Sequence, residues 1–192
     1  LSLHDALPIS SKVKYILSSL GFGYAWEQQS IHNKSSFVKE FVDRLKFCYE
    51  QNWHAAIHES PKCYLYSMYK TLFKTEDYIY ITLCDKFRYA IARLRCSSSQ
   101  LRIETGRHNG EPRNERVCNV CKCNYIEDEY HFIIICNKYN DLRSKYIHAN
   151  VYQFPTKEKF YRLMTSTNPQ TIVLLSTFIV KAMQVRNSVL ST

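Results

Sequence analysis

The sequence predicts a mainly α-helical fold, on two observations. Only four glycines and five prolines occur in 192 residues, so few positions punctuate the chain into tight turns. Apolar residues also recur at three- and four-residue spacing in one segment after another, the period of a helix face rather than a strand. Fifteen tyrosines and ten phenylalanines supply apolar surface for folding. A chain of this length supports one ordinary core, or one core with a small satellite.

Residues 1–11 read as an artefactual or disordered lead-in. The chain starts at Leu1 rather than Met, and LSLHDALPIS resembles a spurious N-terminus of translated assemblies, so the sequence reads as a fragment. A helical region is expected over residues 12–98. In its first helix Val13, Ile16, Leu17 and Leu20 share a face, and Gly21 and Gly23 end it. Ser36 caps a second helix running to about Trp53, with Phe37, Phe41, Leu45 and Cys48 at helical spacing. Ser60 before Pro61 starts a third, since proline suits the first helical position; Leu65, Met68, Tyr69, Leu72 and Phe73 form its apolar stripe.

Residues 77–82 (DYIYIT) alternate like a strand but stand alone, so they read as an extended connector. Thr82 and Asp85 resemble a capping box. The helix beyond them should reach about Cys96, burying Leu83, Phe87, Ile91 and Leu94, with Lys86, Arg88 and Arg95 on other faces. The serines at 97–99 break the pattern and mark a domain boundary. C-terminal helices are expected over residues 147–192, capped by Thr156 and by Asn168 ahead of Pro169. In the last one Ile172, Leu175, Phe178, Ile179, Ala182 and Met183 share a face, and Lys181 and Arg186 complement its dipole.

Residues 99–146 carry the most specific signal. Cys118, Cys121, His131 and Cys136 are separated by two, nine and four residues. Thiolate sulfur and imidazole nitrogen are the preferred donors of structural zinc, which takes four ligands in a tetrahedron. The spacing therefore predicts a small zinc-stabilised Cys-Cys-His-Cys subdomain attached to the helical body. A full set of four protein ligands leaves no open position for water, which makes the expected site structural rather than catalytic. Arg113, Arg116 and Lys122 lie close enough in sequence to offset its net negative charge. Cys123 is a rival to Cys121, although the two-residue gap closes the better chelate loop. Glu127, Asp128 and Glu129 open the short helix carrying His131, and one of them could hydrogen-bond its second ring nitrogen. Phe132 to Ile135 would pack this region against the helices.

Twenty-six basic against seventeen acidic residues give a net charge of +9, which favours a polyanionic partner, nucleic acid first. Arg102, Arg107, Arg113, Arg116 and Lys122 around the metal pattern are the candidate phosphate ligands, since arginine forks match phosphate geometry. Tyr125 and Tyr130 could add base stacking or, more simply, core packing. Eight cysteines without a recognisable secretory signal read as reduced thiols of an intracellular protein. No stretch is expected to reach membrane-span length, the most apolar run being residues 172–180. His54 and His58 lack the intervening glutamate of a metalloprotease helix. No paired aspartates, Gly-rich phosphate loop or Ser-His-Asp set occurs, so no enzyme activity is expected.

The metal segment resembles the Cys-Cys-His-Cys region at the C-terminal end of reverse-transcriptase polyproteins of non-LTR (LINE-type) retrotransposons. The matching residues are LRIETGR at 101–107, PRNER at 112–116 leading into Cys118, EDEYHF at 127–132, then Cys136, Tyr139, Leu142 and Arg143. The resemblance covers about a quarter of the chain. It implies a zinc-binding, non-catalytic segment that contacts template RNA or target DNA and the upstream polymerase region, in the nucleus or a cytoplasmic ribonucleoprotein. Two other readings stay open: a zinc-stabilised protein-interaction module, and a decayed element copy without present function.

Overall fold

A computed structural model describes residues 8–81 and 83–191. The expected Thr82 cap and most of the lead-in lie outside them. The described chain is helical: α1 (Ile9–Ser19), α2 (Gly23–Gln28), α3 (Lys34–Glu59), α4 (Tyr64–Tyr69), α5 (Asp85–Arg95), α6 (Arg102–His108), α7 (Asn140–Tyr146), α8 (Ala149–Tyr152), α9 (Lys157–Met164) and α10 (Pro169–Leu190). Among the described residues there is no strand; Val117 and Ile126 form one isolated antiparallel bridge. The chain divides into two compact units, residues 1–56 and 57–192.

In the first unit Gly21 ends α1 with a left-handed φ of +86°, a conformation glycine adopts without steric cost. Gly23 does not share that role; it opens α2. Residues 9–11, assigned to the lead-in, are already helical. The cap of α3 is Asn33, whose Oδ1 accepts from the Ser36 amide at 3.0 Å, while Ser36 sits inside the helix and donates to Glu40. Phe22 meets Phe37 and Phe41 with ring centroids 5.4 and 5.5 Å apart.

In the second unit Pro61 begins a 3₁₀ turn that leads into α4. That helix ends at Tyr69, so Leu65 and Tyr69 are buried while Leu72 and Phe73 are exposed. Residues 77–79 form a 3₁₀ turn rather than an extended connector. Helix α5 buries Ile91 and Leu94 as its periodicity predicts, and α10 buries Ile172, Leu175, Phe178, Ile179 and Ala182. Thr156 and Asn168 cap α9 and α10, accepting from the Lys159 and Thr171 amides.

Arg95, expected away from the buried face of α5, and Arg186, expected to complement the dipole of α10, are both buried. Arg95 pairs with Glu76 at 2.7 Å, bonds the Met164 carbonyl and lies over the rings of Tyr69 and Tyr78. Its five donors let one buried side chain tie α5 to the end of α9. Arg186 turns into the core, as described below.

The serines at 97–99 are no boundary. One hydrophobic cluster contains Leu65, Leu94, Leu101, Phe132, Tyr139, Phe160 and Phe178, so the divisions expected at 98/99 and 146/147 are crossed by shared packing. Phe132 and Phe178 have ring centroids 6.0 Å apart, and Ile133 and Ile134 are buried with them. The metal region is thus part of the core of residues 57–192 rather than a satellite. Helix α10 has the length and mean hydropathy of a membrane span, contrary to the sequence expectation. Eight of its residues, Arg186 included, are buried within the fold.

Candidate metal centre

Two local structures bring the four predicted ligands together. The first is the turn framed by the Val117–Ile126 bridge, in which the Cys118 amide bonds the Tyr125 carbonyl and the Glu127 amide bonds the Arg116 carbonyl. Inside it the Lys122 amide closes back on the Cys118 carbonyl at 3.2 Å. Lys122 and Asn124 adopt left-handed φ values of +55° and +56°, the sharp reversal that puts both thiols of a Cys-x-x-Cys pair on one side. The second is a π-helical turn, His131–Ile135. Its i→i+5 bond, from the Cys136 amide to the His131 carbonyl at 2.8 Å, spans the four-residue gap between the last two ligands. Such turns are rare and concentrate at functional sites.

One ligand atom from each of Cys118, Cys121, His131 and Cys136 lies within 4.8 Å of the others, and only Cys121 is not fully buried. His131 Nε2 stands 3.4 Å from Cys121 Sγ. Tetrahedral bonds of about 2.3 Å to sulfur and 2.0–2.1 Å to nitrogen put adjacent ligand atoms about 3.5 Å apart. The pocket has the size and donors for a metal ion. Among the described residues this is the one such His/Cys/Asp/Glu group. Cys123 is exposed, with its thiol on the Cys121 carbonyl at 3.3 Å, outside the group.

The thiols do not hold their protons equally. Hydrogen bonding from the Cys136 thiol, with help from His131, pulls Cys118 down to about 3. The same bond pushes Cys136 up, and burial raises Cys121 to about 11. A metal entering this pocket would take up one thiolate and displace the protons of the other two.

The surrounding charges differ from those expected. Glu127, almost fully buried, receives a bidentate pair from Arg186 at 2.8 and 2.9 Å. Its carboxylate also accepts from the Arg102 amide at 2.8 Å, and Cys118 Sγ lies 3.8 Å from it. Buried Arg143 donates to the carbonyls of Ile133 and Cys136 at 2.8 and 2.7 Å, bracing the end of the π-turn. Arg186 and Arg143 therefore stand where Arg113, Arg116 and Lys122 were expected to act. Arg186 follows Cys118 by 68 residues, and no local pattern signals that pairing. Asp128 accepts from the His131 amide at 2.8 Å, but no acid reaches the second ring nitrogen, Nδ1, which is buried without a partner.

Four of the five predicted phosphate ligands have partners within the chain. Arg102 forms a two-pronged bond to Glu111, and Arg107 does the same to Glu104. Arg116 donates to the carbonyls of Glu111 and Ile103 and packs against Gly106, where an added Cβ would meet its Cγ at 2.7 Å. Arg113 lies over the Tyr64 ring, 4.8 Å from its centroid, and pairs at 4.0 Å with Asp128, while Lys122 is exposed. Tyr125 is exposed and stacks on the His131 ring at 5.8 Å, whereas Tyr130 packs edge-on against Phe160. No family model, curated protein or solved structure matches the chain.

Proposed function

We propose that the chain is a non-catalytic, zinc-stabilised helical module that binds nucleic acid through its phosphates. The observation that carries the zinc reading is the closed group of three thiols and one imidazole inside the core. Soft sulfur donors in a four-ligand pocket suit zinc, and a site without an open position suits a structural ion. The net charge of +9 supports a polyanionic partner. Resemblance to the C-terminal region of non-LTR retrotransposon polyproteins supports template RNA or target DNA as that partner, in an intracellular ribonucleoprotein. Arg143 gains a role under this reading: it holds the carbonyls of the turn that presents His131 and Cys136.

The test is a salt titration of single-stranded RNA binding by the full chain loaded with zinc. Affinity must fall as salt rises, because each neutralised phosphate releases counterions and adds roughly 0.7 to the log–log slope. Binding should be similar for unrelated sequences, since phosphate contacts position a protein without reading bases. A zinc-loaded chain with no salt-dependent binding would contradict the nucleic-acid reading. It would favour a protein-interaction module, for which the exposed apolar residues Val38, Val42 and Leu45 on one face of α3 offer a surface.

A further inference from the structure

We propose that the open cleft between α5 and α10 is the seat of a single nucleic-acid strand, with Tyr89 as base platform and Lys86 and Arg93 as phosphate ligands. This inference rests on the nucleic-acid reading above and moves the contact surface away from the metal centre. Lys86, Tyr89 and Arg93 stand at i, i+3 and i+7 on α5, hence on one face. That face borders a cleft of about 370 Å³, whose far wall includes Met183, Gln184 and Asn187 of α10. Tyr89 is 67% exposed, more than any core role needs. Lys86 and Arg93 are exposed, and neither is in an ion pair among the described residues. No acidic side chain lines the cleft; Asp85 pairs instead with Arg88.

This combination separates the cleft from the other basic surfaces. Around the metal centre Arg102, Arg107 and Arg116 are committed to internal acceptors. In the cleft beside α8 and α9, Arg162 pairs with Glu158 and Lys159 bonds the Phe154 carbonyl. The α5–α10 cleft sets two unpaired cations and an exposed ring along one helix face. Seven residues of helix rise about 10 Å, enough to cover roughly three stacked nucleotide steps of about 3.4 Å each. Cations then track the backbone while the ring takes a base of any identity, the pattern of sequence-tolerant single-strand binding.

Two variants of the full, zinc-loaded chain test this with labelled single-stranded RNA. Lys86→Gln with Arg93→Gln should flatten the log–log salt slope by about 1.4, two phosphates at roughly 0.7 each. Tyr89→Ala should leave the slope unchanged and weaken binding about fivefold or more at every salt concentration, the loss of one stacked base. All three positions are solvent-facing, so melting temperature and metal content should match wild type. If wild type binds and both variants bind equally well with the same slope, the cleft is not the strand site and passes to a protein partner, while the nucleic-acid reading stands. If wild type itself shows no salt-dependent binding, both fall together.

Discussion

Residues 9–56 and residues 57–192 have the same helical signature in sequence and very different interiors. In the first unit Leu20 and Phe22 are the only buried residues among those described, and the apolar positions Val38, Leu45 and Phe47 of α3 face solvent. In the second, a cluster from Leu65 to Ala182 fills the interior and includes two of the four candidate metal ligands, Cys118 and Cys136. Periodicity states which side of a helix is apolar; it does not state that anything covers that side. What distinguishes the second unit is polar: four ligand atoms gathered in one pocket, and buried arginines that tie distant segments together.

The largest expected effect short of removing a ligand comes from the Glu127–Arg186 pair. Glu127→Ala strands a buried guanidinium and should destabilise the second unit by about 3–5 kcal/mol, read as a fall in its denaturant midpoint. Replacing both partners with apolar residues should recover much of that loss, because the desolvation of both charges is then avoided. A single change costing under about 1 kcal/mol would show that this pair does not hold α10 to the metal turn.

A smaller, pH-dependent effect is expected at Glu129. Its carboxyl is buried and raised to about 7, chiefly by desolvation, with Ser97 hydrogen bonding opposing. A folded value above the unfolded one means that its stabilising contribution is complete below the ordinary carboxylate range and lost as pH rises through about 7. Glu129→Gln should therefore match wild type below about pH 4 and exceed it above pH 7, by up to about 3 kcal/mol. Equal melting profiles for the two proteins across that range would place a cation beside Glu129 in solution.

The smallest effect belongs to the first unit. Leu45→Ser on α3 should change stability by less than about 0.5 kcal/mol, whereas Leu175→Ala in α10 should cost about 2–5 kcal/mol. Comparable losses at both positions would mean that α3 is covered in solution, and would erase the contrast between the units.

Much of this was legible in the sequence for local reasons. Cap residues such as Thr156 and Asn168 act within three residues, and the buried face of α10 repeats within two turns. The metal residues carried their own spacing, so Cys118, Cys121, His131 and Cys136 could be grouped before their geometry was known. Arg95 and Arg186 were not legible, because the Met164 carbonyl and Glu127 that hold them lie 69 and 59 residues away. The intramolecular partners of Arg102, Arg107 and Arg116 were not legible either: Glu111, Glu104 and backbone carbonyls meet them within the chain. The boundary at residues 97–99 rested on composition alone, and Ser97 and Ser99 are buried.

The central claim is that one metal ion on Cys118, Cys121, His131 and Cys136 closes the second unit. It is tested most directly by metal analysis and hydrogen exchange on wild type and on Cys118→Ser, Cys136→Ser and Cys123→Ser. Wild type and Cys123→Ser should each hold one zinc per chain, and the other two should hold none. Because metal binding and folding are coupled, chelation should strip amide protection across residues 57–192 and leave residues 9–56 as they were. Equal zinc loss in Cys123→Ser and Cys118→Ser, or full protection of residues 57–192 after chelation, would contradict the account.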